Sequence, residues 1–216
     1  MDDGLRAAVL KLKRDRILAV ALKLFDERGF VNTTLDDLAE HIGVSKPFIY
    51  AHFRSKAELL AVICAQGIAI SMEVIDRALA AEGPARERLA AFVHEFVMAV
   101  LSSQEHVAIY AREETSLDAA DRVAIRRLRK EFDRKLVALL DRGVRSGEFS
   151  LPETPIAALA LGGLVSWASV WFRPGGRLQQ QEVAQRVSQL VLAMAGTGTS
   201  VAKRKDSSRA AGHTHQ

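Results

Sequence analysis

Apolar residues recur along most of this chain at the three- and four-residue spacing of amphipathic helices. No run of valine, isoleucine, threonine and aromatic residues alternates as a sheet strand does. Glycine and proline interrupt the helical pattern and divide it into about nine segments. The chain is therefore predicted to be all-α, with helices over residues 13–28, 34–42, 45–52, 55–80, 84–102, 104–117, 119–146, 155–173 and 179–195.

The segment from residue 34 to residue 58 has the pattern of two short helices joined by a tight turn. Four apolar residues of the first helix share one face at i, i+3, i+4 and i+7: Leu35, Leu38, Ala39 and Ile42. Gly43 follows at a position suited to left-handed backbone, and Ser45 is predicted to cap the second helix. Ser55 and Glu58 have the spacing of a capping box for the next helix. This pattern indicates a helix-turn-helix.

Net charge contributes little to the interpretation, because most of it lies at one end of the chain. The sequence has 30 Lys and Arg against 26 Asp and Glu, a formal net charge of +4. Beyond residue 195, four basic residues and the single acid Asp206 give a local charge of +3. A case for nucleic-acid binding must therefore rest on a local cluster of side chains.

Composition divides the chain into four parts. We expect a flexible arm over residues 1–12, a helix-turn-helix domain over 13–55, a larger helical domain over 56–195 and a disordered basic tail over 196–216. The single cysteine, Cys64, has no partner for an internal disulfide, which favours a reducing, cytoplasmic location. The acidic start of the sequence is unlike a signal peptide, and the apolar stretch from residue 59 to 72 is typical of a buried helix rather than a membrane span.

The second helix of the helix-turn-helix is too short to serve packing alone. Ile49 and Phe53 are spaced to face inward. The other side then offers hydroxyls, a cation and flat rings to a DNA groove, from Ser45, Lys46, Pro47, Tyr50 and His52. The alternative is that the tyrosine and histidine are half-buried packing residues and that the serine is only a cap.

The residues that end this motif, Tyr50-Ala51-His52-Phe53-Arg54-Ser55-Lys56, resemble the DNA-binding signature of the TetR family. The resemblance covers about residues 14–60, and Ala51 departs from the aromatic residue or histidine often found there. It implies a transcriptional regulator, most often a repressor, that binds double-stranded operator DNA. By that resemblance, backbone phosphates would be contacted by Thr33, Thr34, Tyr50, His52 and Lys56. Base edges would be approached by Ser45, Lys46 and Pro47.

The larger domain is then expected to bind a small-molecule effector and to dimerise. Candidate effector-binding residues are Phe92, Phe96, Tyr110, Glu113, Trp167, Trp171 and Arg173. Each of the apolar ones could equally be core, and Glu113 could pair with neighbouring charges. The stretch from Trp167 to Gly176 resembles a TetR branch that includes acyl-CoA-responsive regulators, although a proline and glycines here could simply end a helix. The effector is thus expected to be an acyl-CoA thioester or another hydrophobic molecule, such as a drug or an aromatic compound.

The phosphates of a CoA thioester need cations, which the predicted helix over residues 119–146 could supply. Its basic residues are Arg122, Arg126, Arg127, Arg129 and Lys130. The alternative, a solvated helix face with interspersed acids, is favoured.

The last two long helices have features suited to a homodimer. Small residues thin one side of the first, from Ala157 to Ala168, and an apolar stripe runs along the second: Val183, Val187, Leu190, Val191 and Met194. A twofold dimer would bind a palindromic operator. Effector binding against the helix over residues 55–80 would change the spacing of the two DNA-binding motifs.

Other functional classes find little support in the sequence. None of the six histidines forms a His-x-x-x-His or Glu-x-x-His pair on a predicted helix, and no glycine-rich phosphate loop is present. We therefore expect no enzymatic activity, no metal and no cofactor. A non-specific architectural DNA-binding protein is the remaining alternative, and binding without sequence preference would distinguish it.

Overall fold

The computed structural model describes residues 3–196, which form nine α-helices and no strand. The helices are α1 (Asp3–Arg28), α2 (Leu35–Ile42), α3 (Lys46–Tyr50), α4 (Lys56–Ala80), α5 (Ala85–Ser102), α6 (Gln104–Glu113), α7 (Ala119–Arg145), α8 (Thr154–Trp171) and α9 (Gln180–Ala195). A single 3₁₀ turn (Glu114–Ser116) connects α6 to α7. The predicted all-α class is confirmed, and the basic tail lies outside the described residues apart from Gly196.

The first helix begins at Asp3, ten residues before its predicted start, so the segment expected to be a flexible arm is helical from that point. Alanine, leucine, lysine and arginine dominate this segment, and all are strong helix formers. Residues 4–12 are exposed, so local propensity rather than packing explains the extension. An ion pair between Lys11 and Asp15, one helical turn apart, adds a small contribution.

Two hydrophobic cores divide the molecule. The first joins α1, α2 and α3 to the beginning of α4 around residues such as Phe25, Leu38 and Ile49. It also takes in Ile109 of α6 and Ile125 of α7. The predicted domain boundary at residue 55 therefore separates elements in sequence that share one core in space.

The second core is built from the remainder of α4 with α5, α7, α8 and α9. Three phenylalanine rings lie together at its centre: Phe92 stacks on Phe96 with ring centroids 5.4 Å apart, and Phe132 lies 5.1 Å from Phe96. α4 runs through both cores, with Ile63 in the first and Ile75 in the second. α4 and α8 are long and apolar enough to span a bilayer by length and composition. The packing of α4 in both cores accounts for its apolar composition.

Candidate DNA-binding surface and effector cavity

The turn between α2 and α3 is fixed by backbone hydrogen bonds around Gly43. This glycine has φ 77°, in the left-handed region, and its N–H donates to the carbonyl of Ala39 at 3.0 Å. The N–H of Val44 donates to the same carbonyl. At the other end of α2, the Thr34 hydroxyl accepts from the N–H of Asp37 while the Asp37 carboxylate accepts from the N–H of Thr34. The two helices are thus held at a defined angle.

α3 presents the face that the sequence predicts. Ile49 and Phe53 are fully buried beneath it. Tyr50 is 51% exposed, and Ser45, Lys46 and Pro47 are exposed beside it. Ser45 occupies the N-cap position, but its side chain makes no capping hydrogen bond, so that detail of the prediction is wrong. α3 ends at Tyr50, two residues before its predicted end at His52.

Lys46 is the cation at the start of α3, and it forms an ion pair with α2. Its Nζ lies 2.7 Å from a carboxylate oxygen of Asp36. The hydrogen bond and charge of Asp36 raise the pKa of Lys46, so the amine stays charged. A DNA base that accepts a hydrogen bond from this amine must displace Asp36. Binding to that base must then offset the loss of the Lys46–Asp36 ion pair.

His52 is half-buried, and its ring meets that of Phe48 edge to face at 5.0 Å. Burial lowers the pKa of His52, and the neighbouring charges of Lys13 and Arg14 lower it further. A neutral imidazole donates one N–H, which is compatible with a phosphate contact.

Two basic residues of α1 lie next to this face, and the sequence pattern did not identify them as part of it. Arg14 donates to the carbonyl of His52, and its guanidinium stacks over Phe53 at 4.1 Å. The Nζ of Lys13 lies 5.6 Å from the centroid of Phe48. Lys13 and Arg14 lie near α3 because of the way α1 packs against it. In the sequence, these two cations are marked only by their place just before the apolar stripe of the first predicted helix.

Thr33 and Lys56, both expected at phosphates, form hydrogen bonds within the fold. The hydroxyl of Thr33 is fully buried and donates to carbonyls of Leu24 and Gly29. The Nζ of Lys56 donates to the carbonyls of Phe30 (2.6 Å) and Thr33 (2.7 Å). Burial lowers the pKa of Lys56. The loop between α1 and α2 folds over both side chains, and their contact with phosphates stays a prediction.

A cavity of about 330 Å³ lies in the larger domain, between α4, α5, α6, α7 and α8. This volume is at the lower end of the range for small-molecule pockets. Its walls are mainly apolar, with a few polar groups. Prominent lining residues are Cys64, Gly67, Ile68, Ser71, Phe96, Val100, His106, Val107, Tyr110, Arg129, Phe132, Asp133, Leu159, Gly162, Gly163 and Ser166.

Of the seven predicted effector-binding residues, Phe96 and Tyr110 line the cavity. Phe92 is core behind Phe96. Arg173 lies beyond the end of α8, where its guanidinium donates to the carbonyls of Val170 and Phe172. Phe92 and Arg173 therefore do not line this cavity, because a helix that lines a cavity has other faces, and spacing alone does not show which face does so.

Glu113 is buried but points away from the cavity. Its carboxylate accepts from the N–H of Phe30 at 3.3 Å, from the Arg112 guanidinium at 3.3 Å and from the Ser116 hydroxyl at 3.1 Å. Arg112 also donates to the carbonyl of Phe25 at 2.7 Å. The end of α6 is thus bonded to the loop that begins the helix-turn-helix, and Glu113 does not line the cavity.

Trp167 and Trp171 are 64% and 45% exposed on α8 and also do not line the cavity. They belong to a set of exposed apolar side chains that we call the α8–α9 surface: Ile156, Leu159, Trp167, Val170, Trp171, Leu190 and Met194. The predicted stripe on α9 is divided, because Val183 and Val191 are buried in the second core.

Some polar groups of the cavity come from residues that the sequence did not single out for effector binding. The His106 ring is one of them, and its Nδ1 is buried without a hydrogen-bond partner. The Arg129 guanidinium lies 5.2 Å from the centroid of the Tyr110 ring. Burial raises the pKa of the Cys64 thiol to about 12, so this thiol is protonated at neutral pH. The packing of α6 and α7 against α4 brings these groups together.

Two residues of the basic stretch of α7 bond to other parts of the fold. Arg122 donates to the carbonyl of Leu117 at 2.7 Å, and Arg126 pairs with Glu114 at 3.0 Å. Arg129 is the member of the stretch that lines the cavity. No group of three or more His, Cys, Asp or Glu that could hold a metal ion is found within residues 3–196.

A short helix-turn-helix with an exposed polar face, joined to a larger helical domain with a cavity, defines the class of helical DNA-binding regulators. Residues 17–63 match the family of bacterial regulatory proteins of the tetR family, and residues 82–195 match the tetracyclin repressor-like C-terminal domain. The chain belongs to the TetR family of transcriptional regulators and is a DNA-binding transcriptional repressor.

Relatives and solved structures agree with this assignment. The chain is 31% identical, over 183 residues, to the HTH-type transcriptional repressor KstR2 of Rhodococcus jostii (strain RHA1), covering 83% of this chain and 89% of the relative. PfmR of Thermus thermophilus has a TM-score of 0.77 at 31% identity, covering 82% of this chain and 97% of that protein. AibR, solved with isovaleryl coenzyme A and operator DNA, shares the fold with a TM-score of 0.72 at 23% identity, covering 84% and 97%.

Proposed function

We propose that this repressor binds a palindromic operator as a homodimer and is released by a hydrophobic effector, foremost an acyl-CoA thioester. The observation that carries the proposal is the cavity of about 330 Å³, which is bounded in part by α4 and α6, and both of these helices also contact the helix-turn-helix domain. An effector in this position touches the elements that set the orientation of α3.

The proposed DNA contacts are the exposed groups at α3 and the end of α1. Lys46, Ser45 and Pro47 approach base edges, as their exposure at the start of α3 allows. Phosphates are contacted by residues at the margins of this face: Thr34, Tyr50, His52 and Lys13. Thr33 and Lys56 act indirectly, since they hold the loop that positions α2.

Dimerisation is proposed through the α8–α9 surface. An exposed apolar face with two tryptophans is unusual on a monomer and typical of the centre of a protein interface. A twofold dimer places two copies of α3 on one side of the DNA, which accounts for a palindromic operator. We place this regulator in the cytoplasm, where its DNA is.

Signal transmission is proposed to use both α4 and α6. α4 lines the cavity with Gly67 and Ile68 and begins at the helix-turn-helix. α6 lines the cavity with Tyr110 and grips the loop after α1 through Glu113. An effector that prefers the non-binding state tenfold to a hundredfold weakens operator binding by the same factor, about 1.4 to 2.7 kcal/mol.

An acyl-CoA effector is supported by the apolar walls, which suit an acyl group, and by Arg129 at the cavity, which suits a phosphate. In AibR, a protein of the same fold, isovaleryl coenzyme A and operator DNA are both bound. A second candidate is an uncharged aromatic or drug-like effector. It is favoured by the acids Asp133 and Glu114, which also line the cavity and offset the charge of Arg129.

The experiment uses fluorescence anisotropy with a palindromic DNA that the purified protein selects from a random-sequence pool. Acyl-CoA thioesters of increasing chain length are titrated into the complex, with free coenzyme A and the free carboxylic acids as controls. Release by thioesters alone supports the first candidate, and release by uncharged aromatic compounds alone supports the second. Failure to select any sequence over random DNA would point to an architectural DNA-binding protein.

A matched variant tests whether the cavity is the effector site. Gly162 lines the cavity, and a Cβ built on it meets nothing within 4 Å, so Gly162→Leu places a side chain in open space there. We expect this variant to bind the selected DNA as the wild type does while its release requires at least about tenfold more effector. An unchanged response would locate the effector elsewhere.

A further inference from the structure

Asp36 is an acidic residue next to the exposed face of α3, and the DNA contacts proposed above do not include it. It lies in the first turn of α2, and its carboxylate is 2.7 Å from the Nζ of Lys46 at the start of α3. Asp37, the other acid in this turn, is bonded to Thr34 in the capping box. Asp36 takes no part in that box, and Lys46 is its only ion-pair partner among residues 3–196.

The ion pair between Asp36 and Lys46 is too exposed to contribute much to folding. The side chains are 67% and 45% exposed, respectively, and water screens the attraction in pairs of this kind. On DNA, a carboxylate at this position has a cost, because the phosphates carry the same charge. The pairing therefore calls for an explanation in DNA recognition rather than in stability.

Separation of this ion pair on DNA frees a donor and an acceptor together. A guanine that accepts from Lys46 through O6 or N7 displaces Asp36, and the carboxylate then needs a new donor. In the major groove, the donor of a G·C pair is the N4 amino group of the cytosine. Within the base pair this amino group is hydrogen-bonded to the guanine O6, so donor and acceptor lie about as close together as Lys46 and Asp36 do in the free protein. One G·C pair can thus satisfy both side chains.

We propose that Asp36 is a specificity-determining residue that reads one G·C pair together with Lys46. The ammonium donates to the guanine, and the carboxylate accepts from the N4 amino group of the paired cytosine. A backbone phosphate that takes Lys46 offers no donor to Asp36, so non-specific binding leaves a carboxylate unpaired beside the DNA. Asp36 therefore weakens binding to random DNA more than binding to the operator. The inference rests on the proposed function only in placing Lys46 at base edges.

The first test compares affinities for the selected operator and for random DNA, measured by fluorescence anisotropy with the wild type and with Asp36→Ala. We expect the ratio of the two affinities to fall at least about fivefold in the variant, the lower end for one base contact, chiefly because random DNA binds more tightly. Glu40→Ala is the matched control. Glu40 is exposed one turn further along α2 and forms no ion pair among the described residues. Its loss should tighten binding to both DNAs alike and leave the ratio unchanged.

The second test locates the contact on the base pair. N4-methylcytosine still pairs with guanine but carries a methyl group in place of the N4 hydrogen that faces the major groove. It is substituted at each cytosine of the operator in turn. At one cytosine per half-site we expect it to weaken wild-type binding at least about fivefold and binding by Asp36→Ala less than about twofold. Lys46→Ala should lose its preference for G·C at the same base pair.

The proposal is overturned if Asp36→Ala keeps the affinity ratio of the wild type, if Glu40→Ala lowers that ratio equally, or if no cytosine shows the effect. A lower urea unfolding midpoint in Asp36→Ala, with an unchanged ratio, would instead assign Asp36 to the stability of the first turn of α2. A wild type that selects no sequence would contradict the proposed function and this inference together. A wild type that selects an operator, with a ratio that Asp36→Ala retains, would contradict this inference alone.

Discussion

Two lysines near α3 have the same charge but different roles. Lys46 is exposed and paired only with Asp36, whereas Lys56 is partly buried and bonded to carbonyls of the preceding loop. The first can leave its partner for DNA. The second cannot do so without leaving carbonyls unpaired beneath the helix-turn-helix.

We therefore predict opposite outcomes for two alanine substitutions. Lys46→Ala should lose preference for the selected operator over random DNA and leave the urea unfolding midpoint unchanged. Lys56→Ala should lower the free energy of unfolding by about 1.5–3 kcal/mol, the range for hydrogen bonds from a charged donor. Urea denaturation and competition binding on the same samples check both, and similar losses of operator preference at equal stability would contradict the assignment.

The partly buried histidine of the cavity, His106, predicts a pH dependence of stability. The ordinary pKa of histidine is 6.5, and burial lowers that of His106 in the folded state. The unfolded chain therefore takes up the proton more readily, so stability falls as the pH drops below about 6.5 and is unaffected by this group above it. His106→Phe should lose less stability than the wild type between about pH 7.5 and about pH 5.5 in urea denaturation.

The pH dependence of stability that remains in His106→Phe includes the contribution of His52, whose pKa is also lowered by burial. Equal pH dependence in the variant and the wild type would show that His106 does not titrate in this range.

At the scale of helices, glycines mark where elements approach one another. A Cβ at Gly143 of α7 would lie 2.0 Å from the Phe149 ring, which is buried against it. Gly162 of α8 has open space around it. The sequence shows two helical glycines of equal propensity, and only packing distinguishes them.

Gly143→Ala should therefore lower the free energy of unfolding by about 1–3 kcal/mol, the usual cost of overpacking a core. Gly162→Ala should raise it by up to about 1 kcal/mol, because alanine favours the helix and meets no neighbour. Thermal or urea denaturation of the pair provides the comparison. If both substitutions changed the free energy of unfolding in the same direction, the Phe149 ring would have moved aside to accept the new Cβ.

For the whole molecule, the distribution of apolar surface predicts the assembly. The α8–α9 surface exposes two tryptophans that the described residues 3–196 leave uncovered. Trp167→Glu places a charge in the centre of that surface and should yield a monomer by sedimentation analysis, with loss of operator affinity because one half-site is then bound alone. Val123→Glu changes an equally exposed apolar residue on α7 and should remain dimeric. If both variants were monomeric, or both dimeric, the assignment of the interface would be contradicted.

The two hydrophobic cores are connected through the end of α6. Glu113 was expected to orient an effector, yet it ties α6 to the loop after α1. Connections from the cavity to the DNA-binding motif therefore run along α4 and also through the end of α6. Periodicity indicated α4, because that helix is continuous in sequence from one core to the other.

The sequence by itself determined the helices, the helix-turn-helix and the buried pair Ile49 and Phe53, because helical spacing, caps and a left-handed glycine are local properties. It also determined the family, because the signature that ends at Lys56 is contiguous. Tertiary structure alone decided which polar groups are free. Thr33, Lys56 and Glu113 are bound to backbone atoms of distant residues, and His106 is left unpaired where α4 and α6 cross. Such pairings depend on which faces meet, and spacing along one helix carries no information about its neighbour.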